Sequence, residues 1–273
     1  EEGVIGSWGT GVLGTVSPLP QCPIFPFGEF MPGFLTIDNV SKQFGGLRAV
    51  DSVSFEVGEG SLSAIIGPNG AGKTTVFNLI AGALGPTSGQ VAAWRMGIGR
   101  TFQNVRLFRE MSVLENVLVG MAKGAWLEAS LRMPKSVDAD RLRMKKAYYI
   151  LEDVGLEKLA DARAGEIAFG QQRLLEIARS MAFEPRILLL DEPAAGLNRT
   201  ETTALAGLIR RIRDRGTTVL LVEHDMHLVM NLAEWVYVLD GGKKIAEGTP
   251  SEVSSDRRVC EAYLGASGEA DRC

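Results

Sequence analysis

The sequence is poor in sulfur and imidazole: it has three cysteines and two histidines in 273 residues. Cys22, Cys260 and Cys273 lie far apart with no Cys-x-x-Cys spacing. That excludes a disulfide framework and points to a reducing compartment. His224 and His227 fall in Glu-His-Asp-Met-His, with no other Cys or His near them in sequence. A zinc cluster of N and S ligands is not expected there. No apolar run approaches the roughly 18 residues of a transmembrane helix, so any role at a membrane runs through partner chains. Excess positive charge is also absent. The 29 Lys+Arg against 33 Asp+Glu leave a net charge of −4, which argues against a dedicated nucleic-acid binder.

What is present is ample core material. The chain is 45% hydrophobic and 23% charged, ordinary for a folded globular protein and enough to exclude general disorder. Residues 1–33 stand apart, with seven of the 32 glycines, five of the 11 prolines and no Lys or Arg. Pro18, Pro20, Pro23 and Pro26 break any apolar run, and the opening is Glu1-Glu2. That is no secretory signal. This N-terminal extension is expected to be a tag, an upstream misreading or a flexible arm, with Met31 just ahead of the first strand pattern.

From Phe34 on, strand and helix patterns alternate. Phe34–Ile37 and Val53–Val57 read as half-buried strands. Leu62–Ile66, Ile187–Leu190 and Thr218–Val222 are short runs without polar alternation, which suits strands covered on both faces of a parallel sheet. Beyond Asn198, Leu205, Leu208, Ile209 and Ile212 repeat at helical spacing with Arg210, Arg211, Arg213 and Arg215 between them, read as a solvated helix face. Such alternation predicts an α/β fold. Residues 100–150 carry ten Lys+Arg against five Asp+Glu and read as a more polar subdomain. No internal repeat is found.

The sharpest local pattern is Gly67-Pro68-Asn69-Gly70-Ala71-Gly72-Lys73-Thr74, a G-x-x-x-x-G-K-[ST] loop between a strand and a helix that begins near Thr75. Its glycines leave room for backbone N–H groups to face phosphate oxygens, and the helix N-terminus adds partial positive charge. Lys73 is placed to bridge the terminal phosphates and Thr74 to ligate Mg²⁺. A Gly-rich turn at a strand–helix junction is the plain alternative. The run Ile187–Leu190 ends in Asp191-Glu192. A carboxylate at that strand end can hold Mg²⁺, and its neighbour can orient or deprotonate an attacking water. The strand Thr218–Val222 leads to Glu223-His224, placing His224 to hydrogen-bond a terminal phosphate. Ala168-Phe169-Gly170-Gln171 opens a further helix, a second anion-directed helix end with no evident use within one chain but a clear one between two chains set head to tail.

In this order, these residues resemble the ATP-binding-cassette (ABC) ATPases, from Phe34 to about Gly265. The resemblance implies a P-loop NTPase (RecA-like) α/β fold, with a mixed, mainly parallel sheet core, an antiparallel β subdomain and a helical subdomain. It divides the chain into an extension at 1–33, an ATPase domain at 34–265 and a tail at 266–273. Within the domain, 34–102 and 184–265 would form the nucleotide-binding core and 103–183 the helical part. Phe44 is similar to the aromatic that stacks on adenine, and Gly67 to Thr75 to the ATP-binding Walker A segment. Gln103 is similar to the glutamine that meets Mg²⁺ and the attacking water, and Ala168 to Gln171 to the signature motif. Asp191 is similar to the metal-holding aspartate, Glu192 to the catalytic glutamate and His224 to the switch histidine, with Ala195 to Asn198 forming the interface loop.

Within the family, Phe44-Gly-Gly-Leu47, Gly99-Arg-Thr-Phe-Gln103, Arg106–Met111 and Glu192–Asn198 are similar to the larger ATPase subunit of branched-chain amino acid importers. The resemblance implies a second ATPase subunit, as a copy or a paralogue. It also implies two membrane permeases, indirectly a substrate-binding protein, and a place on the cytoplasmic face of the membrane. A urea or amide importer, a lipopolysaccharide-type exporter or a regulatory, non-transport ABC ATPase are the alternatives. A GTPase is disfavoured by the lack of Asn-Lys-x-Asp. Three departures stand out. Ala168 and Phe169 replace the general family's Ser and Gly, and Asn198 replaces an Asp, as the subfamily allows. The stretch Gly89–Gly97, with Gln90–Arg95 inside it, is shorter than the family pattern. Part of the antiparallel subdomain is lost there, or residues are missing from the sequence, and the intact flanking motifs favour the second.

Overall fold

The computed structural model of the chain describes residues 34–93, 97–101, 105–121 and 137–267. The extension at 1–33, the end of the tail, residues 94–96 of the shortened stretch and Gln103 lie outside the described residues.

A three-stranded antiparallel sheet comes first. β1 (Leu35–Phe44) turns through Gly45-Gly46 into β2 (Leu47–Val57), and β4 (Ser88–Ala93) pairs with the other edge of β1. Both hairpin strands are longer than the sequence pattern suggests. Alternation fails at Asp38-Asn39, where β1 carries a register shift between Ile37 and Val40 and Asn39 takes a left-handed φ of 47°. The irregularity absorbs the polar pair and lets pairing resume.

The second sheet has six strands, ordered β5 (Ile98–Arg100), β6 (Ile187–Asp191), β7 (Thr218–Val222), β3 (Leu62–Ile66), β8 (Trp235–Asp240) and β9 (Lys243–Gly248). The first five are parallel, and β9 runs antiparallel to β8. The continuous apolar runs are explained by cover on both faces. Leu62, Ala64, Leu188, Leu190, Val219 and Leu221 enter one apolar cluster. Ile65, Ile187, Leu189, Leu220 and Val222 enter the other. Each strand thus presents successive residues to opposite cores, and fully burying one Leu or Ile contributes about 1.5–3 kcal/mol.

The second cluster is closed by the antiparallel sheet and by α1 (Lys73–Ile80), through Val76, Phe77 and Ile80. The first is closed by α2 (Val113–Gly120), α3 (Val137–Asp153), α4 (Phe169–Met181) and α5 (Arg199–Asp214). The later helices α6 (Met226–Leu232), α7 (Pro250–Ser254) and α8 (Arg257–Ser267) follow β7 and β9. The buried Asn116 amide pins the segment before α2. Its Nδ2 donates to Phe108 O and Ser112 O, and its Oδ1 accepts from Phe108 N.

The arginine face of α5 is solvated as expected, with Arg210, Arg211 and Arg215 exposed and Arg213 half-buried, and its heads also reach neighbouring elements. Arg215 pairs with both carboxylate oxygens of Asp153 at the end of α3, and Arg211 donates to Asp153 O at 3.1 Å. Arg210 donates to Asn231 O and Arg213 pairs with Glu234 at 3.1 Å.

Candidate functional site

β3 delivers the chain to Gly67 at its carboxyl end, the edge where ligands bind in open α/β sheets. Gly67, Gly70 and Gly72 have φ of 147°, 81° and 96°. A Cβ on Gly67 would stand 2.0 Å from Leu239 O of β8, and one on Gly72 would stand 2.5 Å from Ala49 O of β2. Two glycines are therefore required by close backbone approach as well as by conformation. The loop closes with Ala71 N donating to Pro68 O at 3.2 Å, and Gly242 N donates to Ala71 O at 3.2 Å. Gly72 caps α1, and no side chain covers the helix's first amides. Asn69, Gly70 and Thr74 are exposed, while Pro68 and Thr75 are half-buried.

Lys73 is buried and folds back over the loop. Its Nζ donates to Gly67 O at 2.6 Å and Pro68 O at 2.9 Å. Burial lowers its pKa, and the Glu192 and Asp191 carboxylates oppose that shift. These two carboxylates therefore lie within electrostatic reach of the loop.

β6 and β7 end beside β3. Asp191 closes β6 and is buried; its N–H donates to Thr101 Oγ1 at 3.3 Å, and its Oδ2 lies 3.5 Å from Arg100 Nη2. Burial raises its pKa, and Arg100 pulls it back down. Glu192 has a left-handed φ of 46°, and its N–H donates to Val222 O at 2.9 Å. That turn carries the chain off the sheet edge and leaves Glu192 half-buried beside it.

At the end of β7, Glu223 is fully buried. Its carboxylate accepts from Ala194 N at 2.9 Å and from His224 N at 3.2 Å. Burial raises its pKa, and the backbone amide donors oppose it. His224 projects outward with its side chain 61% exposed and its Nδ1 3.8 Å from Glu223 Oε2.

Phe44 stands at the β1–β2 hairpin, 45% exposed, with Lys42 Nζ 5.2 Å from its ring centroid. The same hairpin lends Ala49 O to the seat of Gly72. Ala168 to Gln171 is built differently. Ala168 precedes α4 in extended conformation and offers no side-chain cap. Gln171 Oε1 accepts the Ala168 N–H at 3.0 Å. Phe169 is 47% exposed, with Arg173 over its ring at 5.4 Å. A Cβ on Gly170 would meet Glu201 Oε1 at 2.6 Å, and one on Gly196 would meet Phe169 Cε1 at 2.9 Å. The start of α4 thus packs on the Ala195–Asn198 loop and the start of α5.

The sheet edge brings together the Gly67–Thr75 loop, Asp191, Glu192 and His224. Sequence reasoning gave no role to Arg100, Thr101, Glu223 or Tyr263. Arg100 and Glu223 carry a usable signal, a charged residue at the end of a short strand. Tyr263 of α8 carries none. Its phenol faces the Gly67 backbone, and burial pushes it up to about 12.

A divalent cation is tested by the donors present. Asp191 offers a buried carboxylate, Thr74 an exposed hydroxyl, and the loop at Gly67 and Gly72 has room only for backbone. This is a hard, all-oxygen set that fits Mg²⁺ completed by phosphate oxygens and water.

Residues 50–195 match the family described as ABC transporter, and residues 243–269 match one described as branched-chain amino acid ATP-binding cassette transporter. The chain is 44% identical over 248 residues to the high-affinity branched-chain amino acid transport ATP-binding protein LivG of Salmonella typhimurium, covering 85% of this chain and 97% of that one. It superimposes with a TM-score of 0.73 and 34% identity on an ATP-binding cassette of an ABC transporter in its ADP conformation, covering 85% of this chain and 98% of the other. A dimeric bacterial ABC transporter cassette matches with a TM-score of 0.68 and 27% identity, over 79% of this chain and 98% of its own.

Proposed function

This chain belongs to the ABC transporter family, and from that premise we propose that it is the ATP-hydrolysing subunit of an importer for branched-chain, hydrophobic amino acids. The observation that supports this most is the meeting of the Gly67–Thr75 loop, Asp191, Glu192 and His224 at the carboxyl ends of neighbouring strands β3, β6 and β7.

In this reading the loop amides and the uncapped start of α1 take the phosphates of ATP. Lys73 exchanges Gly67 O and Pro68 O for phosphate oxygens, and Phe44 stacks on adenine. Thr74, Asp191 and Gln103 would hold Mg²⁺. When bound, Mg²⁺ supplies charge neutralisation across the terminal phosphates. Glu192, turned off the sheet edge, orients the attacking water and takes its proton. His224 donates to the terminal phosphate and reports its presence.

Ala168, Phe169, Gly170 and Gln171 serve the neighbouring subunit. Two ATPase subunits set head to tail would each complete the other's phosphate site with this helix end. Closure must be driven by contacts made only in the closed state, and the segment from Gln103 to Gly120 passes it to the permeases. None of the described helices is long and apolar enough to cross a membrane. The working place in this reading is the cytoplasmic face of a permease pair, fed by a substrate-binding protein.

The test is the assembled complex in proteoliposomes, with radiolabelled leucine uptake and phosphate release measured together. Wild type is expected to couple the two. Glu192→Gln is expected to bind ATP but release phosphate at least ~100-fold more slowly, as loss of a general base does. Wild-type turnover in that variant, or no ATP-driven uptake by the unmodified complex, overturns the reading.

A further inference from the structure

Arg100 meets three parts of the nucleotide site's framework. Its guanidinium lies 3.5 Å from Asp191 Oδ2, with the two side chains 12% and 4% exposed. The same guanidinium lies 6.0 Å from the ring centroid of Phe77 on α1. Its backbone oxygen accepts from Ser180 Oγ of α4 at 3.1 Å. Ser180 also donates to Glu176 O at 3.0 Å, and Glu176 pairs with Arg173 at 3.9 Å and accepts from Arg106 N at 3.4 Å.

The geometry of the Arg100–Asp191 contact is informative. A structural Arg–carboxylate pair is usually bidentate at about 2.7–2.9 Å. The Arg100–Asp191 contact is longer. It neutralises a buried carboxylate without clamping it, and the Phe77 ring offers the cation a second partner nearby.

We propose that Arg100 is a positioning residue that stands in for the divalent cation. It compensates Asp191 in the nucleotide-free protein and yields Oδ2 to the metal when nucleotide enters. This rests on Asp191 being the metal-holding carboxylate. Without Arg100 the buried carboxylate loses its ion-pair partner when empty and keeps only the Coulombic pull of Lys73 and Arg173, which is destabilising. The incoming cation then meets no competitor. One substitution should therefore weaken the empty state and strengthen the metal-loaded one.

The experiment uses the full chain and a fluorescent ADP analogue, with affinity measured in EDTA and in saturating Mg²⁺. The ratio of the two affinities is the gain due to metal. Arg100→Gln should raise that ratio at least ~10-fold, the scale expected for removing a unit charge ~5 Å from a divalent ion even at the dielectric of water, ~80. It should also lower the nucleotide-free Tm by roughly 6 °C, with most of the deficit recovered in Mg²⁺ and ADP. Arg100→Lys keeps the charge and should stay within twofold of wild type in the ratio. Arg100→Met, which retains an unbranched apolar stem, serves if the Gln variant does not fold. Asp191→Asn separates the two readings. If it leaves the ratio unchanged, the metal assignment itself fails. If it collapses the ratio while neutral variants of Arg100 leave it at the wild-type value, the stand-in role fails alone.

Discussion

At Gly67 the chain has no room for even a methyl group. The Cβ of an alanine would lie 2.0 Å from Leu239 O, and the φ of 147° lies where L residues are strained. Gly67→Ala is expected to cost more than about 3 kcal/mol, combining overpacking with backbone strain. Gly70 is the built-in control. It has a φ of 81° and nothing within 4 Å of its virtual Cβ. Gly70→Ala should cost only about 1–2 kcal/mol, the left-handed penalty alone. Urea midpoints of the two variants, measured without nucleotide, check the contrast; equal losses would mean that the Leu239 contact is irrelevant. The glycine loop itself is readable from sequence, because its spacing is local. Which glycine is pressed against which oxygen is not, since β8 reaches the loop only through the fold of the sheet.

Helix starts show how much of an element local chemistry determines. Ser112–Glu115, Asn198–Glu201 and Thr249–Glu252 form reciprocal capping boxes ahead of α2, α5 and α7. In the second, Asn198 Oδ1 accepts from Thr200 N and Glu201 N, both at 3.0 Å, while Glu201 returns a carboxylate oxygen to Asn198 N at 2.9 Å. Asn198→Ala is expected to lower stability by about 1 kcal/mol, read as a shifted denaturation midpoint with an unchanged slope. No shift would show that the backbone oxygens and water replace the cap. The strands of the parallel sheet were legible for a similar reason. An unbroken apolar run of strand length is the mark of cover on both faces, and β3 and β7 match their runs residue for residue. The hairpin strands were legible only in part, because a register shift at Asn39 interrupts the alternation without ending the strand. Arg100 and Glu223 escaped because each acts on a partner from another strand or loop.

On the scale of the molecule, the helical part is tied to the sheet core by apolar packing and by polar contacts, among them a clasp on Asp153. Arg215 Nη2 lies 2.7 Å from Asp153 Oδ1, and Arg211 holds the Asp153 carbonyl at the end of α3. The Arg215 hydrogen bond holds the Asp153 carboxyl below its ordinary value of 3.8. A lowered folded pKa gives stability that is complete above the unfolded value and is lost as pH falls through the folded one. The pair is partly exposed, so its contribution is about 0.5–1 kcal/mol. Asp153→Asn is therefore expected to be less stable than wild type by that amount at neutral pH. The gap should close as the pH falls through the lowered folded value, below the ordinary carboxylate range, and shrink at ~1 M salt. A gap independent of pH would assign the loss to packing instead. Helical spacing places these arginines on the solvated face, where they stand, but it does not reveal how far each side chain reaches to a neighbouring element.

The seat of the phosphate loop has a consequence for how the protein tolerates change. Gly67 and Gly72 rest against the carbonyl oxygens of Leu239 and Ala49, and those oxygens belong to the backbone whatever side chain is attached. The mould is thus cast in main chain on two sides. Variation at positions 49 and 239 leaves its shape intact so long as the strands keep their paths, while the glycines inside it have no substitute.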